Sequence, residues 1–418
     1  MKIALFTDSY TPEVNGVAVA VDALRRALLG RGHDVTVFGT SHPDAVPDPD
    51  VVRLPSVIFA PLPERRMATP IDPAVWARLK DGHFDLIHTH TEFVVGQFGS
   101  RAAARLELPR VHTYHTMYED LTWYVARRGP LTQPASRLAR FVSRRVCNPC
   151  DCVIAPTRKI RDKLLGYGVD TFVAIAPTGI DTRRFHSADE RELRALRESL
   201  GIAPDARVVL YLGRVAYEKN ITQLVEALVS YLRPSNPGLA ERRRDVVVLI
   251  VGDGRAMGNV LDLVAASGLG NRVYFAGEVP WTDVPQYYHV SDAVVSMSEA
   301  EAQGLTFIES VAAGVPLVAR YNECFDGILE DGLSASLFRR VEEFPRRLDE
   351  VLFTDRRENY IAGGRAAAEA VSLERFGERV EGIYRETIES HAAHHPARRR
   401  VHRRLHPARP APTPCAAV

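Results

Sequence analysis

The sequence predicts an α/β protein with two domains, each a parallel sheet covered by helices, and three observations predict it. Its 418 residues exceed the ~100–200 of one ordinary domain. Short β-branched apolar runs alternate along it with stretches of helical periodicity, the pattern of repeated strand–helix–strand units. Glycine-bearing or polar loops follow those runs, and open parallel sheets place ligands at such strand exits. A composition of 46% hydrophobic and 25% charged residues suits a soluble protein with a sizeable core.

The first half opens with an apolar strand at 2–7, a loop from Asp8 to Val17 containing Pro12, Asn15 and Gly16, and a helical pattern from Val19 to Leu29. Gly30 to Gly32 ends that helix and Val35 to Phe38 forms the second strand, completing a βαβ unit of the Rossmann type. The loop lacks the full G-x-G-x-x-G fingerprint, which argues against a dinucleotide cofactor. Asp48-Pro49-Asp50 is the D-x-D of this half, but its proline and Pro-rich surroundings suit a turn better than a metal site. Leu86 to Phe93 places His88, His90 and Glu92 at a strand exit, without a fourth ligand at zinc spacing. Val111 to Asp120 repeats the arrangement one strand later, with His112 and His115.

From Leu121 to Cys150 there are six arginines and no acid. A helix through this stretch puts Arg137, Arg140 and Arg144 on one face and Leu138, Val142 and Val146 on another. Such a helix is either a surface element drawn to anionic lipid or an ordinary solvated helix on the sheet; Trp123 and Tyr124 beside it favour the interface. Cys147, Cys150 and Cys152 read as packing residues at the entry to the strand at 153–155. A strand at 173–177 and the turn Thr178 to Asp181 close this half, and the charged stretch 187–200 places the boundary near 180–205.

The second half repeats the plan with Val208 to Leu212 and the exit loop Gly213 to Asn220. Arg214 and Lys219, five apart, suit a diphosphate, since arginine offers a bidentate fork and lysine a point charge. Strands at 246–251 and 273–277 follow, the latter leaving through Glu278-Val279-Pro280-Trp281. A buried run, Ala293 to Ser296, then leads into Ser298 to Ser310, where Leu305, Ile308, Ala312 and Ala313 fall at helical spacing after Gly304. A glycine turn feeding a helix aims backbone N–H groups and the positive end of a dipole at one point, so it can hold an anion. Glu301 and Glu309 flank that point; a carboxylate touching a phosphate would repel it, so both are expected to bind hydroxyls. A strand at 315–319 and a helical pattern over 372–390 complete the half.

The stretch Ser298 to Glu309, with Glu301 and Glu309 separated by seven residues, resembles the signature of retaining family 4 glycosyltransferases of the GT-B fold. Gly213-Arg214 with Lys219-Asn220, and Thr178-Gly179-Ile180-Asp181 after Pro177, are similar to further motifs of that family. The resemblance implies that Glu301 contacts the donor sugar and Glu309 the donor ribose. It implies that Gly304, Leu305, Thr306, Arg214 and Lys219 receive the diphosphate, and that the backbone at Asn15, Gly16 and Val17 approaches it across the cleft. The loop at Val279 would read the base. His90-Thr91-Glu92-Phe93 and His112 to Asp120 resemble a narrower group, the bacterial diacylglycerol glucosyltransferases, and place His115 against the sugar's C6 hydroxyl. Asn322 departs from an aspartate frequent in that group, which bears on sugar or acceptor preference.

The implied activity is a metal-independent hexosyl transfer, with retention, from a nucleotide sugar to a membrane lipid such as diacylglycerol. It needs no cofactor and runs at an anionic membrane surface bound through Arg137, Arg140 and Arg144. UDP-glucose is the expected donor. Alternatives are a GDP-mannose-dependent mannosyltransferase acting on a phosphatidylinositol or glycolipid, a nucleotide-sugar epimerase, and a non-catalytic nucleotide-sugar-binding protein. The expected organisation is an acceptor-binding domain over 1–180, a donor-binding domain over 200–371, a helix over 372–390 crossing back, and a disordered basic tail over 391–418. That tail carries six Arg, five His and no acid, so the remainder sums to −5 against a net charge of +1; no specific nucleic-acid partner is expected. No apolar run reaches the ~18 residues of a membrane span, and the five cysteines suit a reducing compartment, so the expectation is a cytoplasmic protein peripheral to the inner face of the cell membrane.

Overall fold

Strands β1 (Lys2–Thr7), β2 (Asp34–Thr40), β3 (Val51–Leu54), β6 (Leu86–Thr89), β7 (Arg110–Thr113), β8 (Cys152–Ala155) and β9 (Val173–Ile175) form one parallel sheet in the order 3-2-1-6-7-8-9. The structure, a computed structural model, describes residues 1–13, 15–59, 66–69, 73–115 and 132–394. β4 (Ser56–Ile58) and β5 (Arg66–Ala68) form a separate antiparallel pair. A second parallel sheet holds β10 (Arg207–Leu212), β11 (Val246–Val251), β12 (Val273–Gly277), β13 (Ala293–Ser296), β14 (Leu317–Arg320) and β15 (Ser336–Phe338), in the order 12-11-10-13-14-15.

Helices cover both faces of each sheet, which is why the strands read as unbroken apolar runs and not as alternating ones. In β1, Ile3 and Leu5 pack against the Gly16–Gly30 and Leu373–His394 helices, while Ala4 and Phe6 pack against the Val94–Leu106 helix. Each large side chain so buried contributes ~1.5–3 kcal/mol. In each sheet the strand order reverses beside the first strand, between β1 and β6 and between β10 and β13. A crevice opens at such a reversal, and it is where this architecture binds ligands.

The chain crosses between the sheets twice at one place: Ile180 N donates to Val371 O, and Leu373 N donates back to Ile180 O. The Leu373–His394 helix then lies on the first sheet's core through Phe376, Val380 and Tyr384. That helix runs four residues past the expected end at 390, because His391 is held by the Asp151 carboxylate, Nδ1 to Oδ1 2.7 Å. The rest of the expected tail, 395–418, lies outside the described residues.

Candidate functional site

β13 ends at the reversal of the second sheet and releases the loop that holds Glu301. Gly304 turns this loop into the Leu305–Ala312 helix with φ +75°, and a Cβ there would stand 2.4 Å from the Phe307 ring, so glycine is required. Phe307, Ile308 and Val311 anchor the helix in the core, and no side chain caps its N-terminus. The positive end of the helix is therefore available to an outside anion. Glu301 is only 13% exposed and pairs with Lys219, Oε1 to Nζ 2.6 Å. Glu309 is 7% exposed and accepts from the Tyr288 hydroxyl at 2.9 Å. Burial pushes the Glu309 carboxyl above its ordinary range, opposed by the Tyr288 hydroxyl and the Arg184 charge. Neither glutamate is a solvated surface group.

The β10 exit loop lies alongside. Asn220, in the left-handed region at φ +52°, donates to Met297 O at 3.2 Å and ties the Lys219 turn to the Glu301 loop. Arg214 pairs with Glu218 at 2.9 Å. Val279 rests its side chain on the core of the second sheet. From the first sheet, Asn15 caps the Gly16–Gly30 helix: its Oδ1 accepts from Val17 N and Ala18 N, both at 3.1 Å, and its Nδ2 donates to Ser9 Oγ at 2.6 Å. The Val17 amide is thereby already used. Close approach is left to Gly16, where a Cβ would meet nothing within 4 Å.

Opposite these stands a wall of histidines. Asp8, at the end of β1, accepts from the Thr91 hydroxyl and from Val95 N and Gly96 N, which pins the start of the Val94–Leu106 helix. Behind it His88 is buried, bonded to Tyr384 Oη at 2.6 Å and Thr113 Oγ1 at 2.7 Å. His90 Nδ1 meets His115 Nε2 at 3.0 Å, and His112 Nδ1 meets Thr89 Oγ1 at 2.9 Å. Burial and neighbouring imidazoles hold His88 and His90 well below the ordinary histidine range, and His115 at about 3. These rings are neutral at physiological pH. Ala302, next to Glu301, packs against the apolar cluster around Tyr114, the residue that precedes His115.

Two functional candidates were missed in the sequence. Lys159, at the exit of β8, crosses to the second sheet and donates to Glu301 O at 3.2 Å, Glu299 O at 3.4 Å and Asn322 Oδ1 at 2.9 Å. Thr157 joins it through Ala302 O at 3.0 Å, and Gln303 brackets the Thr178 backbone with bonds of 2.7 and 2.9 Å. Asn322 also donates to Glu299 O at 2.8 Å, so it is a buried brace of the loop. The strand-exit rule that singled out Lys219 could have found Lys159. Arg184, in the linker, lies 3.3 Å from the Trp281 ring centre and lines a cavity of about 110 Å³ together with Glu309, Trp281, Asp22 and Arg26. No motif marks it.

Other expectations need correction. On the Thr132–Cys147 helix, Arg137, Arg140 and Arg144 are exposed on one face, but Leu138 is 62% exposed while Val142 and Val146 are partly buried. Phe141, 55% exposed, stands with it, and Ala139, Ser143 and Cys147 form the buried face. The helix turns its small residues inward because it lies close to the sheet, where Ser143 bonds Tyr114 at 2.8 Å. Thr116 to Asp120, Trp123 and Tyr124 lie outside the described residues. Asp48 is bound by Arg25 at 2.7 and 3.1 Å. Among the described residues no group of three or more His, Cys, Asp or Glu could hold a metal ion, and no helix is long and apolar enough to cross a membrane.

Comparison with known proteins places this geometry. The family Glycosyltransferase Family 4 matches residues 14–184, and Glycosyl transferases group 1 matches residues 193–366. A relative named alpha-monoglucosyldiacylglycerol synthase from Streptococcus pneumoniae is 32% identical over 394 residues, covering 93% of this chain and 86% of its own. One of the same name from Acholeplasma laidlawii is 31% identical over 356 residues, covering 83% and 87%. Among solved structures, Anabaena Alr3699/HepE in complex with UDP and glucose superposes with a TM-score of 0.71 at 19% identity, covering 92% of this chain and all of that one. At that identity the likeness shows the fold, GT-B.

Proposed function

The chain belongs to the family 4 glycosyltransferases, and from that premise we propose that it transfers glucose from UDP-glucose to a diacylglycerol acceptor with retention of the anomeric configuration. What carries the chemistry is the half-buried Lys219–Glu301 pair beside the uncapped end of the Leu305–Ala312 helix. The choice of glucose and diacylglycerol rests on the two relatives whose names state that product.

When the donor enters, its diphosphate competes with Glu301 for Lys219. Lys219, Arg214 and the amides of Gly304, Leu305 and Thr306 then stabilise the charge that develops on the leaving UDP. Glu301, released from Lys219, accepts from sugar hydroxyls, and Glu309 accepts from the ribose. These cations support a reaction that proceeds without a metal. The leaving phosphate takes the acceptor's proton on the face it departs from.

The acceptor comes from a membrane, and the Thr132–Cys147 helix supplies the contact. Its outer face combines Arg137, Arg140, Arg144 and Arg145 with exposed Leu138 and Phe141, cations around an apolar patch. Each arginine near an anionic surface contributes about 1 kcal/mol. The enzyme thus works as a peripheral protein on the inner face of the cell membrane.

The test is a panel of UDP- and GDP-sugars with diacylglycerol in neutral or anionic vesicles. Glucosyl product from UDP-glucose, faster on anionic vesicles, is expected. Transfer from GDP-mannose would overturn the donor, and equal rates on both vesicles would overturn the arginine face.

A further inference from the structure

The histidine wall contains one interaction that the transfer chemistry does not use. His90 is 2% exposed; its Nδ1 meets His115 Nε2 at 3.0 Å, and its Nε2 is buried without a hydrogen-bond partner among the described residues. His115 is partly exposed, and its Nδ1 makes no hydrogen bond with a described residue. The His90 ring cannot easily turn away: the His88 ring lies against it at 4.0 Å between centres, tilted by 35°, and His88 is itself held by Tyr384 and Thr113.

Between two neutral imidazoles, one nitrogen carries the shared proton and the other accepts it. If His115 donated from Nε2, neutral His90 would carry its proton on Nε2, leaving a buried N–H with no acceptor. If His90 donates from Nδ1, its Nε2 is a bare acceptor instead. Orphaned buried N–H groups are rare in native structures, so the second arrangement, which leaves no N–H stranded at Nε2, is favoured. His115 then keeps its own proton on Nδ1, the nitrogen left for a ligand.

We propose that His90 is a positioning residue that fixes the tautomer of His115, so that His115 meets the donor sugar with an Nδ1–H donor and not with a basic nitrogen. This rests on the placement of His115 against the sugar's C6 hydroxyl. It assigns His115 an orienting role: its Nδ1–H donates to the hydroxyl oxygen, and it takes no proton from the acceptor. It also links the Leu373–His394 helix to the site, since Tyr384 bonds His88 and His88 backs His90.

The direct test is ¹⁵N NMR of the full chain with labelled histidine, with and without UDP-glucose. The expected spectrum shows His115 protonated at Nδ1 and bare at Nε2, in both states. Protonation at Nε2, or comparable populations of both tautomers, would overturn the proposal. Kinetics give a second reading. His90→Leu should lower kcat/KM about tenfold, the loss of one hydrogen bond's worth of orientation. His90→Asn, whose amide N–H replaces the Nδ1 donor, should restore most of it. In the native enzyme a donor lacking the C6 hydroxyl should also be about tenfold poorer, and this penalty should shrink in His90→Leu. A penalty unchanged in His90→Leu would overturn the proposal. If the native enzyme showed no penalty at all, the placement of His115 on the sugar would fall, while the tautomer would still be read from the spectrum. Should His90→Leu fail to fold, the native spectrum and His90→Asn remain decisive.

Discussion

On the second sheet's side the cleft carries Lys219, Arg214, Glu301 and Glu309, with Lys219 paired to Glu301 and Arg214 to Glu218. On the first sheet's side it carries His88, His90 and His115, polar rings bonded to hydroxyls or to each other and held neutral. Under the proposed function the difference suits each wall to a separate task. A leaving diphosphate develops charge, and charge is stabilised by fixed cations and helix amides. A sugar or an acceptor hydroxyl stays neutral until late, and is oriented best by neutral donors, since desolvated cations there would be costly.

The largest effect that would break this comparison is on stability. His88, His90 and His115 have native values depressed below that of an unfolded histidine. Their contribution is complete above the usual histidine range and is lost as pH falls through it toward the native values, because the unfolded chain binds protons that the native state refuses. Each of the three removes up to ~1.4 kcal/mol per pH unit over that window. The midpoint of urea unfolding should therefore fall steeply from neutral to mildly acidic pH, with no titration of these three rings in the native NMR spectrum. A ring that titrates in its ordinary range would show that the wall is not neutral.

Next in size is the charged wall itself. Lys219→Ala should lower turnover by ~10²-fold or more, the scale for removing one preorganised charge-stabilising donor. The variant also strands Glu301 with Ala302 and Gln303 braced around it, so the fold should survive. Unchanged turnover would remove Lys219 from the leaving group and dissolve the contrast between the walls.

The two walls were not equally legible in the sequence. The sheets were, because a strand buried on both faces must be apolar throughout, as Val246 to Val251 is, and must exit through a polar loop. Lys219 stood out because a glycine turn announces a strand exit, and Glu301 and Glu309 because their stretch resembles a family signature. The short edge strand β3 and the β4–β5 hairpin carried too few residues to show a period. Lys159 and Arg184 were missed because what marks them as candidates lies on partners far away in sequence: Glu301 and Asn322 for Lys159, Trp281 for Arg184. Leu138 was misplaced since periodicity gives a helix's faces but not which face the sheet accepts; that depended on the space beneath Ala139 and Ser143.

The smallest expected effect sharpens the comparison most, because it is none. If side-chain cations and helix amides provide the whole positive charge at the diphosphate, chelation should leave turnover unchanged. Two features support this expectation. Lys219 and Arg214 put two cations on one exit loop, which Asn220 ties to the Glu301 turn. Asp48, the first carboxylate of the D-x-D, is already engaged by both terminal nitrogens of Arg25, a bidentate pair that a divalent ion would have to break. Dialysis against EDTA followed by a transfer assay, with and without added Mg²⁺ or Mn²⁺, decides it. Activity lost in EDTA and restored by either ion would mean that the charged wall is incomplete as the chain builds it. Lys219 would then share the leaving group with a metal, and its alanine variant should lose correspondingly less.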